Sequence, residues 1–215
     1  GRMDAPEDAL KALMTDCREV AVSMAEQLDQ HNRRRQKHEQ QMHEEALRLL
    51  DEESAVDEAP VIVVGSRQWH PGVVGIVASK LMRTYHKPSF VIAFGEDGFG
   101  KGSGRSIEGV SLVDAIDSCR LLLEAGGGHH MAAGISLRED RLDEFRQAFG
   151  KYVLENTTAE SRRPRLHIDA EVPLEELSLD FLASYELLQP FGSGNPQPVF
   201  MSRNVWLTDS PRHLK

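Results

Sequence analysis

Glycines alternate with polar side chains between residues 100 and 106. The run reads Gly-Lys-Gly-Ser-Gly-Arg-Ser. An arginine guanidinium can hold two phosphate oxygens at once, and serine hydroxyls can donate hydrogen bonds to the same group. Glycines weaken a strand, so this many indicate close approach by another group. Ser103, Gly104, Arg105 and Ser106 are therefore candidate phosphate-binding residues. The alternative is a flexible hairpin that carries a surface arginine.

Three consecutive glycines precede a pair of histidines at residues 126–130. Glycines in a loop let the backbone amides turn toward one point, and such a nest binds anions, phosphate above all. A histidine directly after it can donate a hydrogen bond to a phosphate oxygen. Gly127, Gly128 and His129 are the candidates here. The alternative is a tight loop with a packed histidine.

Trp69 and His70 lie where a predicted strand leads into a predicted helix. Backbone amides at the start of a helix favour anions. Trp69 could stack on a nucleobase, which is worth about 1–3 kcal/mol per base. The alternative is a tryptophan that fills the core under the helix. This structural role is favoured for Trp69, whereas a structural role is less strongly favoured for His70.

The apolar pattern predicts the elements that position these groups. Short apolar runs between glycines and prolines indicate strands, and apolar residues repeating near every 3.6 positions indicate helices. Strands that alternate with helices predict an α/β layer structure. The predicted strands are 61–64, 89–94, 99–107 and 132–137, and the predicted helices are 71–85, 112–123 and 142–154.

Helical periodicity also dominates the first 52 residues. It predicts a short helix at 5–14 and a long one from about 17 to 52. The middle of the long helix, at 32–38, has almost no apolar face, which is typical of a solvated spacer between domains. A polar stretch at 156–165 predicts a domain boundary. Beyond it we predict a strand at 166–170, a helix within 174–188 and a strand pair from Val199.

The composition is that of an ordinary globular protein, with a net charge of −9. Most of that charge lies in residues 1–60, which carry 8 basic and 15 acidic residues, whereas residues 61–155 carry 11 of each. The sequence has no basic stripe of the kind that indicates non-specific DNA binding, but its charge distribution is compatible with a local basic pocket. We expect no membrane span, because no stretch approaches about 20 apolar residues. Two distant cysteines favour a reducing, cytoplasmic setting.

Several motifs, in order and spacing, resemble the RecJ branch of the DHH phosphoesterase superfamily. Residues 127–134 match the G-G-H-x-x-A-A-G motif of the DHHA1 domain, and 69–78 and 103–106 resemble RecJ segments. Residues 190–200 resemble the P-F-G-x-G-N-P-x-P-x-F segment that leads into an OB-fold domain. Residues 1–4 resemble the tail of the N-A-A-G-R segment that closes the catalytic DHH domain. Both ends of the chain look cut from something longer.

The resemblance implies an α/β fold in three parts. Residues 1–59 would be the end of the DHH domain and a long connecting helix. Residues 60–156 would be the DHHA1 nucleic-acid-binding domain, with a mixed central sheet. Residues 165–215 would begin a truncated OB-fold-like β domain.

The resemblance also implies a 5′→3′ exonuclease that degrades single-stranded DNA in repair and recombination. Arg105 and Ser103, together with Arg2, would grip the terminal 5′ phosphate, and His129 with the amides of Gly127 and Gly128 would line the scissile region. His129 is the one candidate for a catalytic role. Single-stranded DNA is the expected partner, and single-strand-binding protein or a helicase are further candidates.

The metal ions of such an enzyme, Mn²⁺ or Mg²⁺, would belong to the absent DHH domain, so we expect no metal site and an inactive fragment. His31, His38 and His43 lie along the polar helix, where a solvated face is the expectation. Family members often have alanine where His130 stands, and its ring could crowd the strand or add a donor.

Two other functions remain open at this stage. The chain could come from another DHH–DHHA1 phosphodiesterase that acts on short oligonucleotides or cyclic dinucleotides, although the segment after Pro190 argues against it. It could instead be a non-catalytic nucleic-acid-binding scaffold.

Overall fold

A computed structural model describes residues 6–52, 56, 58–206 and 208–209 of the chain. Two compact units divide it, Gly1–Arg163 and Pro164–Lys215. Among the described residues, no helix is long and apolar enough to cross a membrane.

The first unit is built on a five-stranded mixed sheet. Its strands lie in the order β1-β2-β3-β5-β4. β1 and β2 are parallel and the other neighbours are antiparallel. The α/β class with a mixed central sheet is thereby confirmed. The strands are β1 (Ile62–Ser66), β2 (Ser89–Phe94), β3 (Phe99–Arg105), β4 (Ala125–Gly128) and β5 (Ala132–Arg138).

Helices cover both faces of this sheet. The helices are α1 (Glu7–Met14), α2 (Arg18–Glu52), α3 (Val74–Tyr85), α4 (Leu112–Ser118) and α5 (Leu142–Asn156). One face packs against α4 and α5, where Phe90 of β2 meets Phe145 and Phe149 edge-on at ring-centroid distances of 5.4 and 5.3 Å. The other face packs against α3 and the last half of α2. α4 is shorter than predicted, because a 3₁₀ turn follows at Arg120–Leu122.

The glycines of β3 make room for the side chains of β2. A Cβ atom at Gly104 would lie 2.4 Å from the Phe90 ring, and one at Gly100 would lie 2.5–2.6 Å from Ile92 and Phe94. The group that approaches these glycines closely is therefore the protein's own core. Gly104, the last glycine of the run, is buried.

The long helix α2 has two different halves. Its described buried residues are Glu39, Met42, Ala46 and Leu50, all in the second half. There the Glu39 carboxylate lies 2.7 Å from Lys80 of α3 and also pairs with Arg35. Desolvation by burial opposes ionisation of Glu39, but the hydrogen bonds and charges of Lys80 and Arg35 outweigh it and lower its pKa. The spacer interpretation therefore fits only the first half of α2.

His43 departs from the solvated face predicted for it. Its Nδ1 atom is buried and has no hydrogen-bond partner. Desolvation, and then the nearby Lys80 charge, lower its pKa. His43 thus belongs to the contact between α2 and the rest of the unit.

The second unit contains α6 (Leu179–Glu186) and a parallel pair of two-residue strands, β6 (Ala170–Glu171) and β7 (Phe200–Met201). Its aromatic rings form a small cluster, in which Phe181 and Tyr185 of α6 both contact Phe200 of β7. The predicted strand at 166–170 is thus two residues long and begins at Ala170.

Candidate nucleic-acid interface

The strand order leaves part of one sheet face open. Cross-strand pairing puts Ser103 and Arg105 of β3 on the same face as Gly134 and Ala132 of β5. It is the face on which α3 packs. Gly134 and Gly127 are exposed, and a Cβ atom built on Gly127 would have nothing within 4 Å. Beside α3, β5 and β4 therefore form a shallow shelf of small residues.

Arg105 and His129 lie in one cross-strand row, on opposite sides of Ala132. Arg105 pairs with Ala132, and the His129 amide donates to the Ala132 carbonyl over 2.8 Å, which extends the β4–β5 ladder by one rung. Strands in a sheet lie about 4.8 Å apart, so the two backbones are separated by about 10 Å. The predicted convergence of Arg105 and His129 on one region is consistent with this register.

The Arg105 guanidinium is half-buried and tied to its own strand. Nη1 donates to the Ser103 hydroxyl over 2.9 Å and to the Gly104 carbonyl over 2.6 Å. Holding the guanidinium in one orientation reduces the entropy lost when an anion binds. The Ser103 hydroxyl lies next to it, so both side chains can contact one phosphate group.

The Gly126–Gly128 segment is a strand and not the predicted loop nest. It pairs with β5 as the edge strand β4. Gly128 has φ +153°, and a Cβ there would lie 2.5 Å from the Ala132 carbonyl oxygen, so only glycine fits at the start of this tight hairpin. The glycines still belong to the candidate site, but as the edge of its floor. The prediction failed because a glycine-rich hairpin strand and an anion-binding loop have the same run of glycines in the sequence.

Two of the candidate residues have no accessible side chain. Trp69 is 4% exposed, and its indole N–H donates to the Glu45 carboxylate of α2 over 2.9 Å. Ser106 is 1% exposed, and its hydroxyl donates to the Val110 carbonyl over 2.7 Å. Because both side chains are buried and hydrogen-bonded inside the protein, the predictions that Trp69 stacks on a base and that the Ser106 hydroxyl binds phosphate are wrong.

His70 occupies the loop that leads into α3. Its Nδ1 accepts the Gly72 amide proton over 3.0 Å, so Nε2 carries the proton of the neutral ring. Its ring centroid lies 6.3 Å from that of His38 of α2, and both line a pocket of about 590 Å³. Sequence reasoning did not identify His38 as a neighbour of His70, because only the docking of α2 brings the two together.

His130 stands at the tip of the β4–β5 hairpin. Its Nδ1 lies 2.8 Å from the Ser111 hydroxyl, and its carbonyl accepts the Leu112 amide proton over 2.9 Å. Ser111 is the N-cap of α4. The ring thus adds a polar contact between the hairpin and α4.

Arg2, the remaining candidate, lies outside the described residues. Among the residues that are described, no group of three or more histidine, cysteine, aspartate or glutamate side chains could hold a metal ion. The described residues therefore do not fit a catalytic metal centre.

Comparisons with known proteins agree with this architecture. Residues 58–155 match the family model of the DHHA1 domain, and residues 168–215 match that of the RecJ OB domain. The chain is 34% identical over 210 residues to the single-stranded-DNA-specific exonuclease RecJ of Bacillus subtilis, which covers 97% of this chain and 26% of that protein. It is 38% identical to RecJ of Dickeya dadantii, over 100% of this chain and 39% of that protein.

A solved structure gives the same result. The crystal structure of RecJ from Thermus thermophilus in complex with Mg²⁺ matches with a TM-score of 0.79 and 32% identity, over 93% of this chain and 31% of that one. The chain spans about a quarter to two fifths of the length of these relatives. It belongs to the RecJ family, of which it carries the DHHA1 and OB part.

Proposed function

We propose that this chain is the strand-binding part of a RecJ-like 5′→3′ exonuclease specific for single-stranded DNA, and that it holds the terminal 5′ phosphate. The observation that carries the proposal is the Arg105–Ser103 pair at the edge of the open shelf. A guanidinium and a hydroxyl 2.9 Å apart can bind adjacent oxygens of one phosphate. Repair and recombination are the processes in which such an activity acts.

The other shelf residues extend this contact along the first nucleotide. Gly127 and Gly134 add no side chains to the floor, so a sugar or base can lie flat against these two residues. His129 shares a cross-strand row with Arg105 and Ala132, and in this proposal it would donate a hydrogen bond to a phosphate oxygen near the scissile bond. His70, and Arg2 outside the described residues, are the remaining proposed contacts, while Trp69 contributes only by fixing α2.

Hydrolysis is assigned to a DHH domain that precedes these residues in the longer protein. The T. thermophilus relative was solved with Mg²⁺ and with Mn²⁺. In the whole enzyme, divalent metal ions would activate water and stabilise the charge that develops at phosphorus. The present residues would bind and orient the strand. We propose domain limits of 1–59, 60–156 and 165–215 for the connecting helix, the DHHA1 domain and the beginning of the OB-like domain.

The setting of the protein is also a proposal. Cys17 is exposed and Cys119 is buried, and both are free thiols, which suits the reducing cytoplasm. Single-strand-binding protein and a helicase are proposed partners, because an exonuclease of this kind needs a source of single strands.

Arg105→Ala tests the proposal by fluorescence anisotropy. For the unchanged chain we expect tighter binding to a 5′-phosphorylated single strand than to the same strand with a 5′ hydroxyl. The substitution should weaken binding of the phosphorylated strand by about tenfold, since hydrogen bonds to a charged group contribute about 1.5–3 kcal/mol. Binding of the hydroxyl strand should change much less.

Arg141→Ala is the matched control. Arg141 pairs with Glu144 at an exposed site at the start of α5, so its removal changes the net charge equally without touching the shelf. Equal binding of both strands by wild type and Arg105→Ala would remove Arg105 from the site. Cleavage of either strand by the purified chain in Mn²⁺, abolished by EDTA, would show that a metal centre exists within these residues.

A scaffold without catalysis is the second candidate function. It would bind in the same way, and the longer protein would then lack nuclease activity. Another DHH–DHHA1 phosphodiesterase is disfavoured by the RecJ OB match at residues 168–215.

A further inference from the structure

A glycine in the first turn of α3 lies directly against the proposed phosphate-binding pair. A Cβ atom built on Gly75 would be 3.0 Å from Arg105 Nη2 and 3.0 Å from the Ser103 hydroxyl oxygen. Both contacts are shorter than ordinary van der Waals distances, so a methyl group here would displace one or both side chains. Among the described glycines, Gly75 alone has both Arg105 and Ser103 as the nearest neighbours of an added Cβ atom.

Gly75 lies where α3 packs against Ser103 and Arg105 of β3, away from the apolar contacts of the helix. The residues that bury α3 are Val74, Val77, Ala78 and Leu81, and Gly75 is only half-buried beside them. A methyl group at Gly75 would therefore meet the polar ends of Arg105 and Ser103 and not the apolar core.

The guanidinium is enclosed from two directions. Its Nη1 is held by Ser103 and by the Gly104 carbonyl, while Nη2 lies on the side of Gly75. Because the positions of Nη1 and Nη2 are both constrained, the plane of the Arg105 guanidinium is fixed relative to the Ser103 hydroxyl. A bidentate contact with phosphate depends on that plane, because two parallel N–H···O bonds form only in one orientation.

We infer that Gly75 is a positioning residue that sets the plane of the Arg105 guanidinium and so determines how strongly the chain prefers a 5′ phosphate to a 5′ hydroxyl. This rests on the function proposed above. Gly75 acts by having no side chain, and it makes no hydrogen bond to the phosphate in this role.

Gly75→Ala is the direct test, measured by anisotropy with single strands that differ only in a 5′ phosphate or hydroxyl. We expect the preference for the phosphate to fall roughly fivefold, with unchanged binding of the hydroxyl strand, because one charge-assisted hydrogen bond is lost or lengthened. Alanine favours helix over glycine, so the thermal midpoint should not fall. Gly150→Ala adds the same methyl to helix α5 near Pro60 and Val61 and should leave the preference unchanged.

A double substitution separates positioning from general disruption. In an Arg105→Ala background, Gly75→Ala should not lower the preference further, since its effect passes through the guanidinium. Additive losses would overturn the inference even if Gly75→Ala also lowered the thermal midpoint, and so would an unchanged preference in Gly75→Ala alone. If Arg105→Ala itself leaves the preference intact, the proposed function fails first.

Discussion

The two faces of strand β3 are made by alternate residues of one seven-residue segment. On one face Gly100, Gly102 and Gly104 lie under large side chains from β2 and β5. On the other face Lys101, Ser103 and Arg105 stand beside α3 and the open shelf. Successive side chains of a strand point to opposite faces, so a single motif supplies both a tightly packed core and a polar surface.

The two faces differ in the reason why only certain amino acids are tolerated at each position. The volume of the core restricts the glycines, whereas under the proposed function the contact with a phosphate restricts Ser103 and Arg105. Substitutions on the two faces should accordingly affect different measurements, namely the free energy of unfolding on one side and the affinity for a 5′ phosphate on the other.

Phe90→Ala should give the largest effect on stability. Phe90 is fully buried against Phe145 and Phe149, and truncation of a buried phenylalanine typically costs about 3–5 kcal/mol. Urea unfolding followed by circular dichroism measures the loss. Lys101→Ala, on the exposed side of the next strand, is the control and should change stability by less than about 0.5 kcal/mol. Similar losses in the two variants would contradict the division of the faces.

Gly104→Ala should give the next largest loss of stability. The added methyl would lie 2.4–2.9 Å from the Phe90 ring, and overpacking of this kind costs about 1–3 kcal/mol. Gly134→Ala is a matched control in the adjacent strand, because its Cβ would meet only the Gly102 carbonyl oxygen at 3.9 Å. The same unfolding experiment compares them. A larger destabilisation in Gly134→Ala would show that the core is not what restricts Gly104.

Much of this fold could be predicted from the sequence. Strand β2 coincides with its predicted range, and α2 and α5 end within two residues of theirs. These elements have long or continuous apolar patterns, and burial is what those patterns record. The edge strand β4 was not predicted, because Ala-Gly-Gly-Gly carries no apolar alternation and its ladder is imposed by β5.

The candidate site was harder to predict than the fold. The types of Arg105 and Ser103 indicate anion binding, but accessibility depends on which face each residue occupies. Ser106 follows Arg105 directly and is nevertheless buried. Trp69 is held by Glu45, which lies 24 residues away in the chain. Neither the burial of Ser106 nor the long-range contact of Trp69 leaves a local pattern in the sequence, so composition and spacing alone retained both residues as candidates.

Ser103→Ala sharpens the comparison from the open face. The hydroxyl contacts Arg105 and is half-buried, so its loss should change the free energy of unfolding by about 1 kcal/mol or less. Affinity for a 5′-phosphorylated strand should fall by roughly threefold to tenfold, because one donor and the orientation of the guanidinium are lost. Anisotropy and urea unfolding of the same preparation measure the two effects. A loss of stability with unchanged affinity would mean that Ser103 supports the fold and does not contact the phosphate.

The smallest effect is expected from the contact that holds α2 against α3. Glu39 has a lowered pKa in the fold, since Lys80 and Arg35 outweigh the cost of its burial. A carboxyl group of this kind stabilises the fold above its unfolded pKa of about 4.3, and the stabilisation is lost as pH falls through the lower folded-state pKa.

Glu39→Gln should therefore lower stability at pH 7 by about 1 kcal/mol or less, because Lys80 remains partly solvated. The difference between wild type and variant should shrink as pH falls from about 4.3 toward the lower folded-state pKa, because the Glu39 carboxylate is then progressively protonated. Unfolding measured from pH 3 to pH 7 gives this difference directly. A difference that grows as pH falls would mean that the Glu39 charge does not stabilise the contact. The preference for a 5′ phosphate should be unchanged in Glu39→Gln at pH 7 if α3 keeps its place beside Arg105 through its own apolar packing.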